Sequence, residues 1–197
     1  MTRRALLALG LLIALTPPAR AGGFWKPFLA GAASGFAIHE GSHLLFDAAF
    51  DAGPRLKGVS FGPIPFFAVT HRNGLPSNQE ALISGAGFLS QQVTSEIVLT
   101  RRGPGDDVSP FEKGLLAFHV ATSVAYAGAA FTRYGPHERD TRGIADATGT
   151  DERVVGALVL APAVFDAWRY KRPNSRTAKW GSRLSKVAYL GVILFKD

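Results

Sequence analysis

The chain has no cysteine among its 197 residues. That excludes disulfide staples and cysteine-ligated zinc, so any metal site has to be built from His, Asp or Glu. Charge is scarce as well: 19% of residues are charged and 47% hydrophobic. This is more apolar than an ordinary soluble domain, yet short of a chain made wholly of membrane spans. There is no internal repeat and no low-complexity linker, and the length suits one domain. Acidic residues are missing altogether from one stretch. Seven basic residues and no acidic one stand between Arg169 and Lys186, while the other 15 basic and 15 acidic residues cancel. The net charge of +7 is therefore local, which speaks against a general nucleic-acid surface. With Trp168, Tyr170 and Trp180 interleaved, the basic, aromatic segment 169–197 reads as a belt that settles among lipid headgroups.

The motif that is present is His39-Glu40-Gly41-Ser42-His43. On a helix, residues four apart share a face, so one metal ion can take both imidazoles. Glu40 is offset by about 100° around the axis and faces a water beside the ion rather than the ion itself. Two neutral imidazoles leave the charge of Zn²⁺ unquenched, and the ion brings the pKa of a bound water to about 7. A carboxylate can then take that proton and hand it to a leaving amine. As a buried helix with an unpaired glutamate the segment would be costly, which favours the metal reading of His39, His43 and Glu40.

Residues 1–21 read as a secretory signal, with Arg3 and Arg4 ahead of an apolar run and an Ala19-Arg20-Ala21 cleavage site. The mature domain is then 22–197, directed to a bacterial-type membrane, the inner membrane above all. Residues 27–50 form an apolar helix of bilayer length that carries the His pair, with Asp47 continuing its face as a possible orienter of a ligand histidine. Residues 55–72 predict a β-hairpin whose Pro65 confines a strand to an edge, with His71 on the surface at its end. Helices are expected at 78–100, capped by Ser77 or Asn78, and at 111–132, opened by Ser109-Pro110. Asp140 can cap a short helix to Ala147, and Thr150 caps another over 151–170 that Pro162 should kink. A last apolar helix, 184–195, is suited to lie on or dip into a membrane. The fold class is thus mainly α: a membrane-associated bundle of about four helices with a small β-hairpin after the first.

This order of parts resembles the site-2 protease group of intramembrane zinc metalloproteases over roughly residues 27–147, with His39-Glu40-x-x-His43 as the specific element. The resemblance implies peptide-bond hydrolysis, a Zn²⁺ cofactor, a peptide or membrane-protein substrate, and a third ligand that is an aspartate beyond the second core helix. The chain departs from the group twice. Gly85-Ala86-Gly87 with Gln91 and Gln92 stands where Gly-Pro and Asn are expected, and no Leu-Asp-Gly occurs. Asp140 is the favoured third ligand because it opens a helix after the polar loop. Asp146, Asp166, Glu96, His119 and His137 remain open. A third histidine at metzincin spacing is lacking, since Ala49 stands there, and a distant Glu80 or Glu96 ligand fits less well. Two other function classes stay in view: a non-peptidase membrane protein with a structural or binding metal, and a soluble exported zinc hydrolase. A cleaved signal, four crossings and the positive-inside tendency cannot all hold together.

Overall fold

The structure, a computed structural model, describes residues 23–61, 63–102 and 107–195. The leader expected at 1–21 lies outside them. Six helices and one hairpin are described: α1 (Trp25–Ala49), β1 (Arg55–Phe61), β2 (Ile64–Thr70), α2 (Ser77–Arg101), α3 (Pro110–Thr132), α4 (Asp140–Thr148), α5 (Glu152–Lys171) and α6 (Arg176–Phe195). The mainly helical fold with a hairpin after the first described helix is as expected, but six helices are described where about four were expected. The last helix is longer, starting at Arg176 instead of 184.

Every other helix packs on α2. Its sequence explains why. It is lined by small residues (Ala81, Gly85, Ala86, Gly87, Ser90, Ser95) that are all buried, so neighbouring backbones can approach from several sides. α1 and α3 meet through two reciprocal glycines. A methyl group at Gly31 would lie 1.9 Å from the Phe111 carbonyl oxygen, and one at Gly114 would lie 2.0 Å from that of Phe28. Neither position tolerates a side chain. One apolar core joins Phe88, Ile144, Val155, Val159, Tyr189 and Ile193 from α2, α4, α5 and α6. Removing a side chain such as Phe88 from water contributes about 1.5–3 kcal/mol. A second core, Val98, Leu99, Leu115 and Leu116 with Val108, closes the opposite end.

Helix starts follow local capping chemistry in two cases and depart from it in two. Ser109 and Glu112 form a reciprocal capping box at α3, with Pro110 in the first turn. At α2 the cap residue is Pro76, with no side-chain cap bond from Ser77 or Asn78. At α5 the cap is Asp151, which accepts from the Arg153 N–H, in place of Thr150. At α4 the cap residue is Arg139, so Asp140 is already helical and its carboxylate is free for another task. α5 continues on both sides of the buried Pro162.

The strands pair antiparallel from Arg55 opposite Thr70 to Phe61 opposite Ile64. The hairpin leans on α1 through Phe66 and Phe67, whose rings sit 6.1 and 6.0 Å from that of Phe36. Among the described residues one helix, α3, is long and apolar enough to cross a membrane. α1 has the length expected of a span, but its serine, histidine and glutamate content keeps it less apolar than α3.

Candidate metal centre

His39 and His43 stand one turn apart on α1 with both rings buried. Asp140, at the start of α4, reaches back across 101 residues to put Oδ2 3.1 Å from His39 Nε2 and 3.4 Å from His43 Nε2. Three ligand atoms from these residues lie within 4.8 Å of one another, and no other such group of His, Asp or Glu occurs among the described residues. Donors bound tetrahedrally at 2.0–2.1 Å are about 3.3 Å apart, so the observed spacings suit one small ion with little movement.

The proton on His43 is also placed. Its Nδ1 lies 2.8 Å from the Ile83 carbonyl oxygen. A carbonyl can only accept, so Nδ1 carries a hydrogen and Nε2 is the ring atom turned to Asp140. His39 is set by shape: a methyl at Gly87 would fall 2.3 Å from its Cε1, so the ring lies flat against the α2 backbone. Its edge also meets Phe88, with ring centres 5.5 Å apart. His39 Nδ1 is buried without a hydrogen bond among the described residues.

Asp140 is aimed by its neighbour. The Arg139 guanidinium forms a fork with Glu152, Nε to Oε1 and Nη2 to Oε2 at 2.6 Å each. It also donates to the Pro136 carbonyl at 2.8 Å, and Thr141 donates to Glu152 Oε1 at 3.0 Å. Residues 139 and 141 are thereby bolted to α5, which leaves Asp140 between them pointing the other way. Burial pushes the Asp140 carboxyl up, but the imidazoles of His43 and His39 outweigh it and hold it well below the usual carboxylate range.

The site opens into a cavity of about 220 Å³ walled by Glu40, His43, Asp140, Tyr126 and Arg139 and roofed by Val59 and Phe66 to Val69 of the hairpin. Lys57 of β1 bridges to Glu138 in the α3–α4 loop, tying the roof to the wall. That lysine lowers the Glu138 carboxyl, against a small opposing effect of burial.

The other candidates are placed elsewhere. Asp146 is exposed and pairs with Arg142. His137 is exposed. Glu96 pairs with Arg169, Arg183 and Lys186 at 2.7, 2.9 and 3.1 Å. Asp166 accepts from Ser95 and Ser182, lies 3.0 Å from Lys186 and has His119 beside it at 3.4 Å. His119 also lies 3.5 Å from Gln91. Glu80 holds His71 at 2.6 Å, and the other ring nitrogen of His71 lies 3.5 Å from the wholly buried Asp47. Two expectations are thereby corrected: His71 is not a surface residue, and Asp47 faces His71 while the Ile83 carbonyl orients His43.

No family model, curated protein or solved structure matches the chain. Three contributors escape sequence reasoning. The Ile83 carbonyl leaves no trace in residue type, Gly87 hides within a glycine-rich run, and the Arg139–Glu152 fork is visible only as an arginine next to the favoured aspartate.

Proposed function

We propose that the chain is a zinc-dependent peptide hydrolase of a membrane, similar in kind to the site-2 protease group. The observation that carries the reading is the convergence of His39 Nε2, His43 Nε2 and Asp140 Oδ2 on a cavity that Glu40 also lines. His39, His43 and Asp140 would hold the ion, and their donor set, two imidazoles and one carboxylate, is one that zinc accepts. When bound, Zn²⁺ supplies the Lewis acidity that makes water a competent nucleophile near neutral pH.

Glu40 does the proton work. Its carboxylate takes a proton from the water as oxygen adds to the peptide carbonyl, then returns it to the amide nitrogen as the C–N bond breaks. Tyr126 and the hairpin limit water around that exchange. An extended substrate segment fits along the hairpin, because a two-stranded sheet leaves an outer edge on each strand. The apolar α3, the leader-like residues 1–21 and the basic, aromatic segment 169–197 support placement in a bacterial-type inner membrane with lipid as a partner.

The test is direct. Purified protein should contain one zinc per chain; Glu40→Gln should keep that zinc while hydrolysis of a peptide substrate falls by about 10²–10⁴-fold. Asp140→Ala should release the metal. A wild type without zinc, or Glu40→Gln at full activity, would sink the reading.

A further inference from the structure

Of the seven basic residues between Arg169 and Lys186, three turn inward: Arg169, Arg183 and Lys186 all contact Glu96. The other four, Lys171, Arg172, Arg176 and Lys179, have no acidic partner among the described residues. They cluster at the turn from α5 to α6, and that end of the bundle holds more. All three tryptophans of the chain lie there and are exposed: Trp25 at the start of α1, Trp168 near the end of α5 and Trp180 in the first turns of α6. The end of α2 joins them, since Arg102 donates to the Tyr170 carbonyl at 2.6 Å and sits 5.1 Å above its ring.

Between the starts of α1 and α3 and the end of α5 runs a groove of about 330 Å³, walled by Phe24, Phe28, Leu116, Val120 and Tyr170. Asp166 reaches its floor, but Lys186 already balances that charge. Lys113, also on the wall, is held by Asp107. The cation left at the mouth is Lys171, and a second cavity beside Trp168 carries Lys171 on to Arg172, Asn174 and Ser175. An apolar slot thus leads to two unpaired cations flanked by amide and hydroxyl donors and bordered by indoles.

We propose that this end of the bundle binds an anionic diacyl phospholipid, with one acyl chain in the groove and the phosphate at Lys171 and Arg172. The proposal rests on the membrane reading above but not on the metal. Charge complementarity selects this ligand over a neutral one: two unpaired cations at one rim attract an anionic headgroup, and tryptophan prefers that depth of a bilayer. Arg172 and the neighbouring Asn174 and Ser175 supply several N–H and O–H donors for phosphate oxygens. Measured along α1, Phe28 is about 16 Å from His39 at 1.5 Å per residue, about half the hydrocarbon thickness. Lipid seated here would set the metal site near the middle of the bilayer.

The experiment uses full-length protein with phosphatidylglycerol and phosphatidylcholine vesicles in a flotation assay, plus mass spectrometry of lipid retained after detergent extraction. Wild type should prefer phosphatidylglycerol vesicles by about tenfold or more and carry that lipid through purification. K171E/R172E should bring the preference close to parity, and Ala117→Trp, which fills the slot, should reduce retained lipid; both should keep wild-type zinc and helical content. Equal uptake into the two vesicles, or an undiminished preference in K171E/R172E, overturns the site. So does retention that appears only after residues 1–22 are deleted, because the leader would then be the natural occupant. Should neither vesicle take up the protein, the membrane reading falls with it. Zinc and peptidase activity without lipid preference remove this site alone.

Discussion

Two clusters of buried polar residues lie in the same helical bundle, and they are built differently. Around Asp166, every charge is answered: Ser95 and Ser182 donate to it, Lys186 and His119 flank it, and Lys186 continues to Glu96, which also binds Arg169 and Arg183. Around Asp140, the nearest groups are two imidazoles, one with its Nδ1 proton committed to the Ile83 carbonyl, and Glu40 adds a second carboxylate on an open cavity. The first cluster is cross-linked by lysine, arginine and serine, with His119 Nε2 and Gln91 Nε2 buried without a hydrogen bond. The second brings two imidazoles and two carboxylates together, with no lysine or arginine paired to Asp140 among the described residues. Both contain histidine beside aspartate, so residue type alone does not separate structure from site. Charge pairing does: a carboxylate held by lysine and hydroxyl donors ties helices together, and one that meets only imidazoles beside an open cavity is a place for an ion.

The sharpest way to break this contrast is Asp166→Ala. It leaves Lys186 with Glu96 alone and the two hydroxyls without their acceptor, and should lower the unfolding free energy by about 1–3 kcal/mol while leaving zinc stoichiometry at the wild-type value. Metal loss without loss of stability would reverse the two roles. A smaller effect is expected for Arg139→Lys, which keeps the charge but loses the fork that aims Asp140. Zinc affinity, read by chelator competition, should fall about 10–100-fold with Asp140 itself intact. Unchanged affinity would mean that Asp140 is held by something other than that fork.

The smallest effect belongs to Lys57→Ala at the roof of the cavity. The lysine is well exposed, so stability should change by less than about 1 kcal/mol, and the expected change is a raised KM for peptide with kcat near wild type. The bridge also carries a pH signature. Glu138 is lowered in the folded protein, so its contribution is complete above the ordinary carboxylate range near 4.3 and is lost as pH falls through the lowered value. The difference in KM between Lys57→Ala and wild type should shrink in that acid window. A difference that widens there would disconnect the bridge from the roof.

Much of the local structure is legible in the residues. Ser109-Pro110 with Glu112 marks a helix start that the capping box repeats, and Gly62-Pro63 between two short apolar runs marks the hairpin. The errors fall where a local rule met a tertiary demand. Asp140 reads as a cap residue by type, yet the cap position is Arg139 and the carboxylate turns to the histidines. His71 reads as a surface residue because it ends a strand, yet α1 and α2 bring Asp47 and Glu80 to it. The basic run 169–186 reads as one surface, yet a helix presents its sides alternately, and three of its cations turn inward to Glu96.

The sequence by itself determined the pair. His39 and His43 share a face because an α-helix repeats every 3.6 residues, and no later packing alters that. The lack of cysteine likewise restricted the remaining donors before any fold was known. Tertiary structure alone decided the third partner. Asp140 and Asp146 on α4 and Asp166 on α5 are the same residue type, and residue type alone does not distinguish them. The choice came from α4 packing on α2 and from Arg139 bolting its first turn to α5, contacts that span many helical turns and exist only once the bundle has formed.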